Sequence, residues 1–219
     1  MPNPETYRHL KEICAEHGSS IVVVSKTRTE AEIMSVYKMG QRIFGENKAQ
    51  ELIVKASLLP TDIEWHLIGH LQRNKVKSIL PYVQCVQSLD SWDLWQKLNE
   101  EAKEAGKVIR CLLQIKIAVE ETKYGWDTNN LEEVLGSGLH AAFSNVQICG
   151  LMGMASLTTD GEQVRKEMRE MKNHFDYFKK TYFNESIDFN VLSMGMSGDY
   201  VTALEEGSNM IRVGSLVFS

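Results

Sequence analysis

The feature that most constrains this chain is an alternation. Short apolar runs of strand character take turns with segments of helical spacing, and the pattern repeats eight times. The strand-like runs are "IVVVS" at 21–25, "RIFGEN" from 42, "EWHLIG" from 64, "YVQCVQSL" from 82, "KVIRCLLQIKI" from 107, "VQICGLMGM" from 146, "FNVLSMG" from 189, and "NMIRVGS". The run at 21–25 is apolar almost throughout rather than at every second residue, which is how a strand buried on both faces reads. The run from 107 reads as the longest, and a polar loop over 118–129 is expected after it. Helices are predicted at 4–17, before the first strand, and at 29–40. Further helices follow in "KAQELIVKASLL", "LQRNKVKSIL", "DSWDLWQKLNEEAKEAG", near 129–142, in "GEQVRKEMREMKNHFDYFKKTY" and in "GDYVTALEEG". Thr29 and Glu32 stand at capping-box spacing, and Gly40 and Gly106 suit helix exits.

Strands that alternate with helices pair in parallel through crossovers. Eight such units imply a closed (β/α)8 TIM barrel, here one domain over residues 1–219. Nothing follows the last strand that could make a full closing helix, so that helix is expected to be absent or very short. The N-terminal helix is expected to cover part of the same side. The competing architecture, a doubly wound open sheet, would carry G-x-G-x-x-G after an early strand, and none stands there.

Composition excludes some classes of partner. The formal charge of -5 argues against nucleic acid, whose binders present basic faces. No apolar run approaches the ~20 residues of a membrane span, and the polar N-terminus lacks a signal-peptide core. Cys14, Cys85, Cys111 and Cys149 form no CxxC pair and read as reduced, mostly buried thiols of a cytoplasmic protein.

In a barrel the strand ends meet at one mouth, so polar or glycine-rich strand ends are the candidate site. Lys26 ends the first strand. Its amine either snorkels to water or, partly buried with a lowered pKa, acts as a nucleophile towards an aldehyde. Ser197 and Gly198 precede a helix, and Gly214 and Ser215 follow the eighth strand. Both places offer free backbone N–H groups, which either cap turns or seat a phosphate. Arg212 is a charge within an apolar strand. It either pairs with an acid such as Glu46 or donates to an acceptor on a bound ring. Asn47 can hydrogen-bond to a ring substituent. Met194 and Met196 offer flexible apolar surface for a flat ligand or, more commonly, fill core. His66 and His70 lack a third ligand nearby, which disfavours zinc.

These segments, "VVVSKTRT", "FGENKAQEL", "WHLIGHLQRNK", "SLD", "GLMGM" and "LSMGMSGDYVTALEEGSNMIRVGSLVF", resemble the pyridoxal phosphate homeostasis protein family over nearly the whole chain. Its fold resembles the N-terminal barrel of alanine racemase, the fold-type III architecture for pyridoxal 5'-phosphate. The resemblance implies that the cofactor is bound covalently at Lys26. It also implies that Ser197, Gly214 and Ser215 hold the phosphate, that Arg212 sits by the pyridine nitrogen, and that Asn47 and Met194 flank the ring. His66 and Ile68 would line the same mouth. Ser215 stands where threonine is frequent in the family, His70 where a smaller residue or proline is common, and Ser219 where glycine is usual.

An arginine beside the pyridine nitrogen disfavours its protonation and so weakens the cofactor as an electron sink. The expected function is therefore to hold, buffer and deliver pyridoxal phosphate without turnover. The expected form is a monomer in the cytoplasm that makes at most transient contact with cofactor-dependent apoenzymes. The alternative is a small racemase or lyase using the same cofactor.

Overall fold

The computed structural model describes residues 2–118 and 124–219. The polar loop expected at 118–129 therefore lies partly outside the described residues. Eight parallel strands close into a barrel in chain order: β1 (Ser20–Val24), β2 (Ile43–Glu46), β3 (Glu64–Leu67), β4 (Val83–Leu89), β5 (Ile109–Ile115), β6 (Val146–Gly153), β7 (Val191–Ser193) and β8 (Met210–Val213). Closure comes from β8 pairing with β1, where Val22 stands opposite Arg212. Helices α1 (Pro4–Glu16), α2 (Glu30–Lys38), α3 (Ala49–Leu58), α4 (Val76–Ile79), α5 (Trp92–Glu104), α6 (Thr128–Gly136), α7 (Gly161–Tyr182), α8 (Tyr200–Glu205) and α9 (Ser215–Phe218) accompany them. The TIM barrel read from the alternation is the observed fold.

Period-two alternation divides the wall. Val23, Phe44, Trp65, Leu67, Val86, Leu192 and Ile211 belong to the large core between strands and helices. Val22, Cys85, Leu112, Cys149, Met152, Val191 and Met210 form a smaller cluster of their own. All four cysteines are buried and unpaired.

Local chemistry explains the element ends. Helix α2 begins with the predicted capping box: Thr29 accepts from Glu32 N, and the Glu32 carboxylate accepts from Thr29 N. Asn3 caps α1, with Pro4 in its first turn. Helix α9 is a single turn, and α1 packs beside it. Asn3 N donates to Val217 O at 2.8 Å. Tyr7 Oη donates to Gln41 Oε1 at 2.9 Å, and Gln41 Nε2 reaches Ile21 O and Ile43 O, joining α1 to the feet of β1 and β2.

Three expectations are corrected. The longest strand is β6, not β5, because Lys107 and Val108 stay exposed and β5 begins only at Ile109. "LQRNKVKSIL" forms a 3-10 turn (Arg73–Lys75) and then only the four residues of α4, stopping ahead of Pro81, which has no N–H to continue the helical hydrogen bonds. The helix expected near 129–142 ends at Gly136. Gly138 then takes a left-handed φ of 71°, and a separate 3-10 turn covers Leu139–Ala142.

Candidate functional site

An open cleft of about 360 Å³ lies at the mouth between the ends of β1, β7 and β8. Val24, Lys26, Thr27, Arg28, Met196, Ser197, Gly198, Arg212, Gly214 and Ser215 line it. Five of the nine expected site residues are thus brought together: Lys26, Ser197, Arg212, Gly214 and Ser215. Asn47, His66, Ile68 and Met194 do not line this cleft.

Lys26 stands two residues past β1, in the turn after it, and is exposed. Among the described residues it makes no hydrogen bond or ion pair. The partial burial expected of this side chain is not present. The amine belongs instead to an open cleft wall.

Opposite it, two loops form a cup. After β7, Asp199 Oδ1 accepts from Met196 N at 2.5 Å, which ties up the turn that carries Ser197 and Gly198. After β8, Gly214 N donates to Ser197 Oγ at 3.4 Å, linking the two loops. The backbone N–H groups of Ser197, Gly198 and Ser215 donate to no acceptor among the described residues. Unpaired backbone donors around two hydroxyls form an arrangement suited to a phosphate.

Arg212 is 3% exposed and yet lines the cleft. Its partner is not Glu46. Nη1 donates to Ser193 Oγ at 2.7 Å and Nη2 to Gly153 O at 2.8 Å. Both acceptors are neutral. Burial holds the guanidinium down to about 10, with the negative charge of Asp199 acting the other way, so it stays cationic at neutral pH. Glu46 lies on the opposite face of the wall from Arg212, two residues from the outer-core Phe44. It bonds Lys55 Nζ and Ser25 Oγ.

Behind Arg212 runs a buried polar chain that sequence reasoning did not find. Ser193 Oγ donates to Gln87 Oε1 at 2.7 Å, and Gln87 Nε2 donates to His66 Nδ1 at 2.8 Å. Burial, with Arg110 adding in the same direction, pushes the His66 imidazole down to about 3. The ring is therefore neutral, and because Nδ1 accepts, its proton is on Nε2. His66 accordingly serves this chain and not the cleft wall. Met194 is 1% exposed within the outer core, and Met196 is the methionine that reaches the cleft. Ile68 approaches Gly45, where a Cβ would lie 3.2 Å from Ile68 Cδ1. The Asn47 backbone lies against Gly69, at which a Cβ would come within 2.3 Å of Asn47 O. Thr27 and Arg28 also line the cleft. Their signal in the sequence is only their adjacency to Lys26.

The donor set fits an aldehyde-bearing aromatic phosphate: an amine, a cup of free N–H groups and hydroxyls, and a buried cation with no carboxylate against it. Known proteins are similar to this chain along nearly its whole length. A family model described as "Alanine racemase, N-terminal domain" matches residues 5–219. The pyridoxal phosphate homeostasis protein of Synechocystis is 36% identical over 100% of this chain and 98% of its own, and that of Aquifex aeolicus 34% over 93% and 87%. Among solved structures, PipY of Synechococcus elongatus superposes with a TM-score of 0.91 without PLP and 0.88 with PLP bound. In both cases it is 32% identical and 99% of each chain is covered. Alanine racemase of Clostridium difficile, at 15% identity and a TM-score of 0.70, shares the fold over 56% of its length. The chain belongs to the pyridoxal phosphate homeostasis protein family, built on the barrel of the alanine racemase N-terminal domain.

Proposed function

We propose that this chain binds pyridoxal 5'-phosphate and holds it in reserve for other proteins. The observation that carries the reading is that one cleft is lined by the Lys26 amine, the cup of Ser197, Gly198, Gly214 and Ser215, and the buried Arg212 cation. Lys26 holds the cofactor as a Schiff base: its nitrogen bonds the aldehyde carbon and the carbonyl oxygen leaves as water. Ser197, Gly214 and Ser215 hold the phosphate. Arg212, tied on one side to Ser193 and Gly153, keeps further N–H groups for the ring. Asn47, His66, Ile68 and Met194 lie outside the cleft lining.

The reading extends to a carrier without turnover. Two observations support that extension. Relatives bear the name homeostasis protein. Among the described residues, the cleft lining includes no carboxylate, imidazole or phenol to act as a second acid–base group beside Lys26. In this reading residues 1–219 act as one unit, a cytoplasmic monomer that meets apoenzymes only transiently. No helix among the described residues is long and apolar enough to cross a membrane.

The test is a visible spectrum followed by borohydride reduction and peptide mapping. A band at about 420 nm should form on adding pyridoxal phosphate, and reduction should label Lys26. Lys26→Ala should lose the band while still holding the compound through its phosphate. A label on another lysine would refute the assignment.

A further inference from the structure

We propose that Glu51 and Lys55, which lie outside the cleft, are positioning residues that set the direction in which Lys26 leaves the barrel wall. The inference rests on the cofactor reading above and extends it to residues that touch no ligand.

The starting observation is strain. Among the described residues, Thr27 alone of the non-glycines has a positive φ, at 61°. A β-branched side chain avoids that region, and such a conformation persists only where its surroundings hold it. Thr27 directly follows Lys26. The two are the central residues of a turn closed by Arg28 N donating to Ser25 O at 3.0 Å. With φ positive only at the second central position, the turn is of the kind that ordinarily places glycine there. A glycine would remove the strain, but it would also free the backbone that carries the lysine.

Two side chains from α3 hold the turn at both ends. Glu51 Oε2 accepts from Thr27 N at 3.0 Å. Lys55 Nζ donates to Ser25 O at 2.7 Å and to Glu51 Oε2 at 3.1 Å. Beneath them, Glu46 Oε1 takes Lys55 Nζ at 2.7 Å and Ser25 Oγ at 2.6 Å. The side chains of Glu46 and Lys55 are 0% and 8% exposed. A buried ion pair adds little stability over apolar residues of the same shape, so its presence asks for another role. Here it braces the residue before Lys26, while Glu51 braces the residue after it.

Among the described residues Lys26 itself makes no hydrogen bond or ion pair, so its backbone is what sets the starting point of the side chain. Schiff-base formation requires the uncharged Nζ to meet the aldehyde carbon from a narrow range of directions as water departs. Misplacement by an ångström costs such a reaction about a hundredfold. The braced turn keeps the amine on the side of the cleft that faces the phosphate cup.

The experiment compares two probes. Pyridoxal 5'-phosphate can form the Schiff base. Pyridoxine 5'-phosphate, with an alcohol in place of the aldehyde, can only fill the phosphate cup and ring site. In the unaltered protein the aldehyde should bind more tightly. Glu51→Ala should weaken pyridoxal phosphate about tenfold, with loss of the visible band to match, and leave pyridoxine phosphate within about twofold. Glu51→Gln keeps an oxygen for Thr27 N and should restore the preference for the aldehyde. Lys55→Met, tested in the same way, should lower that preference as Glu51→Ala does. If the Glu51→Ala preference is unchanged, or if both probes weaken together, the positioning role is overturned. If the unaltered protein shows no preference for the aldehyde, the cofactor reading falls, and the inference with it.

Discussion

Gly214→Ala tests the cup with a single methyl group. Gly214 has φ −132°, outside the left-handed region that favours glycine. The effect of the substitution is steric. A Cβ built at Gly214 lies 2.8 Å from Val24 O and 3.1 Å from Val24 Cβ. Ordinary contact begins at 3.4 Å, so the loop after β8 must back away from β1 by about 0.6 Å. Overpacking of this kind costs about 2 kcal/mol, which lowers Tm by about 4–8 °C in a chain of this size. The displacement has a direction. It moves Gly214 and Ser215 away from β1 and the turn that carries Lys26. It also breaks the Gly214 N to Ser197 Oγ bond, already long at 3.4 Å. Affinity for pyridoxal phosphate should fall about tenfold, the worth of one hydrogen bond. Gly198→Ala is the control. A Cβ there meets nothing within 4 Å, and Tm should stay within about 1 °C. Thermal melts and equilibrium titration read both quantities. A Gly214→Ala protein that melts and binds like the parent would refute the close-approach argument, as would a Gly198→Ala protein destabilised to the same degree.

Two other outcomes follow from the polar chain behind the cleft. Ser193→Ala strands an Arg212 donor and the Gln87 carbonyl in a fully buried site. It should cost about 2–4 kcal/mol in chemical denaturation and weaken cofactor binding, while borohydride still labels Lys26. His66 binds its proton more weakly folded, at about 3, than unfolded, at about 6.5. Its contribution to stability is complete above pH 6.5 and is lost as the pH falls towards 3, at about 1.4 kcal/mol per pH unit. His66→Asn keeps an acceptor for Gln87 and should flatten the stability curve over that range. An unchanged slope would show that His66 is not the group titrating.

The barrel was legible because strand-like apolar runs alternate with helical segments, and eight such units leave few topologies. Much of the site was legible for a related reason: in a barrel every strand end reaches the same mouth, so Lys26, Ser197, Arg212, Gly214 and Ser215 could be gathered before any coordinates. The misplacements trace to one neglected rule, the two-residue period of the strand wall. Ser193 bonds Gln87 within the barrel, so Met194, its neighbour, turns to the outer core. Phe44 packs outward, so Glu46, two residues on, packs outward as well and cannot meet Arg212. Glu46 instead finds Lys55, nine residues later on the helix that covers the same face. Applied strand by strand, the period would have pointed to His66, Gln87, Ser193 and Arg212 as one interior polar layer.

No such rule reaches Thr27. Its left-handed φ and its bond to a carboxylate 24 residues away depend on how α3 meets the turn after β1. A threonine is a poor signal for a conformation that glycine usually marks. The residues that hold a ligand therefore lie where topology puts strand ends. Those that aim the lysine lie where a helix side chain meets a backbone amide, a contact with no spacing of its own. For that reason the Glu51 pair of variants carries more information than a further scan of the cleft wall. Altering the wall changes what is bound. Altering Glu51 should change only whether the bound aldehyde meets its amine.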